Sequence, residues 1–171
     1  MSLRKTIGVA ASVVAMSVGL IGTAEAAPRI VTYNSSNTGE FQAAIDKGAQ
    51  VWNASVANVQ FRKVPGTANV MVSVDNQWPR AYVTSLGRGR WVMGRQAVNE
   101  GHDTVRISSH EFGHLLGLPD RRTGLCTDLM SGASAGTSCK NPNPNTREKA
   151  EVEANFRSMV TVQPTTFADA A

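Results

Sequence analysis

Long apolar runs, blocks of like charge, cysteine and histidine are all scarce in this chain, and each scarcity excludes something. The longest apolar stretch, residues 7–22, is 16 residues long and is diluted by two serines and three glycines. It falls short of the ~20 apolar residues that a bilayer-spanning helix needs. Arg4 and Lys5 precede it and Ala24-Glu25-Ala26 follows it, so residues 1–26 read as a secretory signal cleaved before Ala27. The remainder is expected to be exported and extracellular, with no membrane attachment after cleavage. Removing Arg4, Lys5 and Glu25 leaves 15 basic and 12 acidic residues, a net charge of +3. That balance is too mild and too dispersed to indicate a nucleic-acid partner. Arg88-Gly89-Arg90 and Arg121-Arg122 read as solvated loop residues.

Two cysteines in an exported chain pair most simply with each other. A Cys126–Cys139 bridge closes a 14-residue loop, worth roughly 3 kcal/mol on the chain-entropy model. Two thiols without a neighbouring histidine make a poor metal site. The 171 residues provide one domain with a core, taken as residues 27–160, and residues 161–171 are expected to be a disordered tail.

Within that domain, residues 29–33 alternate and are β-branched, as a first strand should be. Asn37-Thr38-Gly39-Glu40 has the form of a capping box ahead of a helix with apolar positions Phe41, Ala44, Ile45, Gly48 and Trp52. Residues 59–64, 69–74, 81–86 and 91–98 read as four more strands, separated by Pro65-Gly66, Pro79 and Gly87-Arg88-Gly89. A second long helix starts at Asp103, an N-cap residue type. Val105, Ser109, Phe112 and Leu116 form its expected core face, and His102 lies outside it at the surface. Beyond Asp120 the chain is irregular. A last helix covers 146–159, with Asn145 and Glu148 as its capping box and Glu153–Arg157 as a solvent-facing ion pair. The fold class is α+β.

What is present stands out against this background: Ser109-His110-Glu111-Phe112-Gly113-His114-Leu115-Leu116-Gly117-Leu118-Pro119-Asp120. On a helix, His110 and His114 share one face, so both imidazoles can bind one metal ion. Glu111 is rotated by about 100° and can reach a water on that ion. Gly117 can reverse the chain, Pro119 prevents the helix from continuing, and Asp120 can then fold back as third ligand. Three protein ligands and one open position are the arrangement of a catalytic zinc site. Two alternatives keep the histidines. A downstream Glu148, Glu151 or Glu153 could replace Asp120 as third ligand, in a gluzincin-like hydrolase. The ion could also stabilise a non-catalytic binding protein, which would have no use for an acid at position 111.

The extended motif H-E-x-x-H-x-x-G-x-x-D, followed by Asp128-Leu129-Met130-Ser131-Gly132, resembles the metzincin clan. The short chain, Leu118-Pro119-Asp120 and the Cys126–Cys139 frame resemble its snapalysin family of small extracellular neutral proteases. The similarity runs from about residue 30 to 156. It implies a metzincin-like zincin fold: a twisted, mostly parallel five-stranded sheet with two long helices, a methionine turn and a C-terminal helix. It implies a zinc metalloendopeptidase with zinc on His110, His114 and Asp120, Glu111 as catalytic base and Met130 beneath the ligands. By the same resemblance Ala81, Tyr82, Val83, Thr84, Ser85 and Leu86 form the substrate-pairing strand. Calcium is implied at Asp103 and the carbonyl of Val105, which replaces the usual threonine. The implied partners are protein or peptide substrates, with an aromatic residue preferred just after the scissile bond, and a secreted inhibitor protein; the enzyme is expected to be monomeric. Arg122 stands where relatives carry a tyrosine, a departure that bears on that preference. With the first strand close behind residue 26 and no thiol upstream of the zinc helix, activity without a further N-terminal cut is expected.

Overall fold

The computed structural model describes residues 27–168; the expected signal at residues 1–26 lies outside the described residues. The strands are β1 (Arg29–Asn34), β2 (Val59–Lys63), β3 (Val70–Asp75), β4 (Arg80–Ser85), β5 (Arg88–Gly94) and β6 (Thr165–Ala168). They form one sheet in the order β2-β1-β3-β5-β4-β6. The first four strands in that order run parallel; β4 is antiparallel to β5, and β6 antiparallel to β4. The five-stranded, mostly parallel sheet is therefore present, extended by a strand within the stretch 161–171 expected to be disordered. Its apolar ring explains the difference: Phe167 packs against the core, and the edge of β4 supplies a backbone ladder.

Helix α1 (Gln42–Ser55) follows a 3-10 turn, Gly39–Phe41. The expected capping box is not made. Thr38 Oγ1 donates instead to Ser35 O at 2.7 Å, and Glu40 pairs with Arg95. Strand β5 ends at Gly94, earlier than expected, and α2 (Arg95–Asn99) takes over. A Cβ on Gly94 would lie 2.2 Å from Gln77 O, so the 77–79 loop crosses the strand there and turns the chain.

Helix α3 (Thr104–Leu115) carries the histidine motif. Its burial is broader than the expected stripe: residues 106–115 are all buried, whereas Val105 is only half-buried. Two contacts set its position. Gly48 lets α1 cross against it, since a Cβ there would meet Ser108 Cβ at 2.6 Å, and Trp52 Nε1 donates to Ser109 O at 2.8 Å. Against the sheet, Phe112 lies among Phe61, Trp91 and Tyr33, with centroid separations of 4.5, 5.3 and 5.5 Å. Helix α4 (Thr146–Ser158) begins at the expected Asn145–Glu148 capping box. Glu153 does not form the expected pair with Arg157; it accepts the backbone N–H groups of Ala57 and Asn58 and ties α4 to the start of β2. Among the described residues no helix is long and apolar enough to cross a membrane.

Candidate metal centre

Helix α3 starts at Asp103, whose Oδ1 accepts the N–H groups of Val105 and Arg106 at 3.0 and 2.9 Å. The helix cap expected at Asp103 is therefore made. One turn on, Arg106 is buried and reaches across to the loop that follows the motif. Its Nη1 donates to Asn141 O at 2.6 Å and its Nη2 to Asp128 O at 2.8 Å. Sequence reasoning missed this residue. The available signal was its place four residues before His110, on the same helical face.

His110 and His114 are both buried, with Nε2 atoms 3.0 Å apart. At Gly117, φ is +91° and the chain reverses as expected. That brings Asp120 Oδ1 to 3.2 Å from His110 Nε2 and 3.6 Å from His114 Nε2. Among the described residues, these three are the one group of histidine, cysteine or acid side chains able to hold a metal ion.

The other ring nitrogens define the tautomers. His110 Nδ1 lies 3.0 Å from Leu129 O, and His114 Nδ1 lies 2.8 Å from Leu118 O. A carbonyl only accepts, so each Nδ1 carries the proton and each Nε2 presents a lone pair. Burial, reinforced by neighbouring His110, pushes His114 down to about 3, which keeps its imidazole neutral at pH 7. For Asp120, burial works against the charge, but the imidazoles and Arg122 outweigh it and hold the carboxyl below its usual range. Asp120 Oδ1 is buried and makes no hydrogen bond among the described residues. Three electron-pair donors converging without a proton between them are arranged for a cation.

Glu111, beside His110 in sequence, is 1% exposed. Met130 is fully buried beneath the helix, and Gly113 makes room for it: a Cβ there would lie 2.8 Å from Met130 Sδ. The segment that carries Met130 is held from both sides. Arg121 N donates to Met130 O at 2.8 Å, and the buried Glu148 carboxylate accepts Met130 N at 2.8 Å and Leu129 N at 3.2 Å. Cys126 and Cys139 form the expected disulfide, with Cα atoms 5.4 Å apart.

The glutamates weighed as third ligands have other partners. Glu148 holds the turn, Glu151 pairs with Arg121, and Glu153 holds residues 57 and 58. Neither Arg121 nor Arg122 is a freely solvated loop residue. Arg122 lies 3.7 Å from Asp120 Oδ2, and its Nη2 donates to Ala168 O at 3.1 Å. His102 stays out of the metal group and meets Trp78 edge to face at 5.6 Å. The expected substrate strand matches β4 through Ser85, with Leu86 just beyond it, but its outer edge carries β6.

Comparison with known proteins extends the picture. Residues 28–157 match the Streptomyces extracellular neutral proteinase (M7) family. The extracellular small neutral protease of Streptomyces caespitosus is 42% identical over 125 residues, covering 72% of this chain and 94% of that protein. The Streptomyces lividans protein of the same name is 37% identical over 128 residues, 74% of this chain and 56% of its own length. That of Streptomyces coelicolor is 34% identical over 124 residues, 72% of this chain and 57% of its own length. The chain thus spans little more than half the length of the latter two. Residues 158–171 lie beyond the family match.

Proposed function

The chain belongs to the Streptomyces extracellular neutral proteinase family, and from that premise we propose that it is a secreted zinc-dependent endopeptidase. The observation that carries the reading is the convergence of His110 Nε2, His114 Nε2 and Asp120 Oδ1 with both Nδ1 protons tied to carbonyls. Ligand atoms of a tetrahedral zinc ion with bonds of about 2.0–2.1 Å lie about 3.3 Å from one another. The three separations here, 3.0, 3.2 and 3.6 Å, fit that figure. Zinc bound there would lower the pKa of a water molecule and polarise the scissile carbonyl.

The chain's own groups supply the rest. Glu111 takes the proton of the attacking water and delivers it to the leaving amine, which requires a carboxylate beside the metal and not on it. Met130 gives the ligands an apolar floor, and Leu129 and Leu118 keep the imidazoles in register through their carbonyls. A peptide substrate lies extended along β4; that this edge accepts an antiparallel strand in the form of β6 supports the placement. Export rests on the signal-like residues 1–26 and on relatives that are named extracellular.

The test is a pair of substitutions with zinc and proteolysis measured together. Glu111→Gln should abolish casein digestion and retain one equivalent of zinc, whereas Asp120→Ala should lose both. Zinc retained by Asp120→Ala would return the third ligand to another residue. Zinc without proteolysis in the unaltered protein would leave a zinc-stabilised binding protein.

A further inference from the structure

We propose that the outer edge of β4, the ring face of His114 and the guanidinium of Arg122 form one peptide-binding site, and that the chain's own residues 165–168 are its resident occupant and compete with substrate. The proposal rests on the peptidase reading and adds to it an internal ligand for the cleft.

Three independent contacts place the tail there. Its backbone pairs antiparallel with β4, Thr165 opposite Val83, Thr166 opposite Tyr82, Phe167 opposite Ala81 and Ala168 opposite Arg80. Phe167 stacks on the imidazole of His114, with ring centroids 4.1 Å apart and planes 4° from parallel. Arg122, two residues past the third ligand, donates to the carbonyl of Ala168 at 3.1 Å. A backbone ladder, one side chain read by a ring and one carbonyl read by a cation are the elements by which an extended peptide is recognised at a sheet edge. They are gathered here directly beside the metal ligands.

The tail is also separable from the fold that surrounds the site. The family match ends at residue 157, before β6. Only residues 159–164 join α4 to β6. Without β6, the edge of β4 presents unpaired backbone donors and acceptors to whatever strand arrives. A tether of this length gives the tail an effective concentration on the order of 1 mM. A substrate must displace it, and the apparent KM rises by the ratio of that concentration to the tail's own Kd.

Phe167→Ala in the full chain weakens the occupant while leaving the ligands, Glu111 and β4 unaltered. For a tail peptide with a Kd on the order of 0.1 mM, KM for a fluorogenic peptide should fall roughly tenfold with kcat unchanged. A labelled peptide of residues 163–168 should bind the variant more tightly than the unaltered chain, with Glu111→Gln present in both to prevent cleavage. Circular dichroism of both proteins checks that the fold is retained. Unchanged KM, equal peptide binding, or a kcat that falls together with KM would each overturn the proposal. The binding comparison does not depend on hydrolysis. If neither protein digests any substrate but the labelled peptide discriminates between them, the peptidase reading fails and the docking site stands. If both digest substrate with the same KM and the peptide does not discriminate, the docking site fails and the peptidase reading stands.

Discussion

The carboxylate of Glu148 sits inside the protein with the backbone N–H of Met130 on one oxygen, at 2.8 Å. Its other oxygen accepts Leu129 N at 3.2 Å and Asn145 N at 2.7 Å. The N-terminus of the last helix and the floor of the metal centre therefore share one buried anion. Leu129 in turn holds His110 through its carbonyl, so the orientation of that imidazole depends on a residue 38 positions away in the chain.

Glu148→Ala removes that anion and leaves three N–H groups without their acceptor. The expected loss is about 3 kcal/mol of stability, read from urea unfolding. On the proposed ligand set Glu148 does not bind the metal, so zinc stoichiometry at saturation should stay at one. Affinity should drop about 10- to 100-fold as Leu129 loosens its hold on His110.

Gly113→Ala tests the packing under the ligands. The new Cβ would approach Met130 Sδ to 2.8 Å and Trp52 Cζ2 to 3.3 Å. Overpacking of this kind costs about 1–3 kcal/mol. Thermal unfolding should show that loss, and activity should fall further than Gly→Ala at an open position would cause. An unaffected variant would mean that Met130 can move away freely.

The disulfide and Arg106 constrain the same loop. Cys126→Ser with Cys139→Ser should cost about 3 kcal/mol, and Arg106→Lys about 2–3 kcal/mol through lost hydrogen bonds to backbone carbonyls. The triple variant should not show the sum of the two losses, because each constraint retains part of what the other provides. Strict additivity in urea unfolding would show that they act on separate regions.

Tyr33 carries a pH prediction. Its phenol donates to Asp46 at 3.0 Å, and burial, with Asp46 adding to it, holds its pKa well above the usual value near 10. A raised folded pKa means stability that is complete below about pH 10 and is lost as the pH rises further, since the unfolded chain ionises first. At pH 7 Tyr33→Phe should be about 1 kcal/mol less stable than the unaltered protein. Above about pH 10 the gap should narrow. A gap that stays constant to about pH 11 would contradict the assignment.

The helix motif was readable because its chemistry is local: His110 and His114 are four apart, Gly117 and Asp120 follow within one reversal, and the turn chemistry of each residue matches its place. The alternating segments gave five strands for the same reason. What escaped was non-local. Arg106 reads as one more polar helix residue until its carbonyl partners 20 to 35 residues later are known. Glu148 and Glu153 read as cap and surface ion, yet both accept backbone N–H groups from distant segments. The tail shows neither a long periodic run nor a turn signal. The edge of β4, the ring of His114 and the guanidinium of Arg122 together hold Thr165–Ala168 as a strand.

Arg106 also bears on how this protein tolerates change. It grips the loop after the motif by main-chain carbonyls, at residues 126, 128, 129 and 141, and these contacts involve no side chain of that loop. A carbonyl is the same in every residue, so these four contacts are indifferent to which amino acids the loop contains. Substitutions at exposed loop positions such as Thr127, Ser138 or Lys140 should accumulate with little penalty, while the loop path is preserved. Drift is then channelled to the surface of the loop, and constraint gathers on the two buried side chains that read its backbone, Arg106 and Glu148.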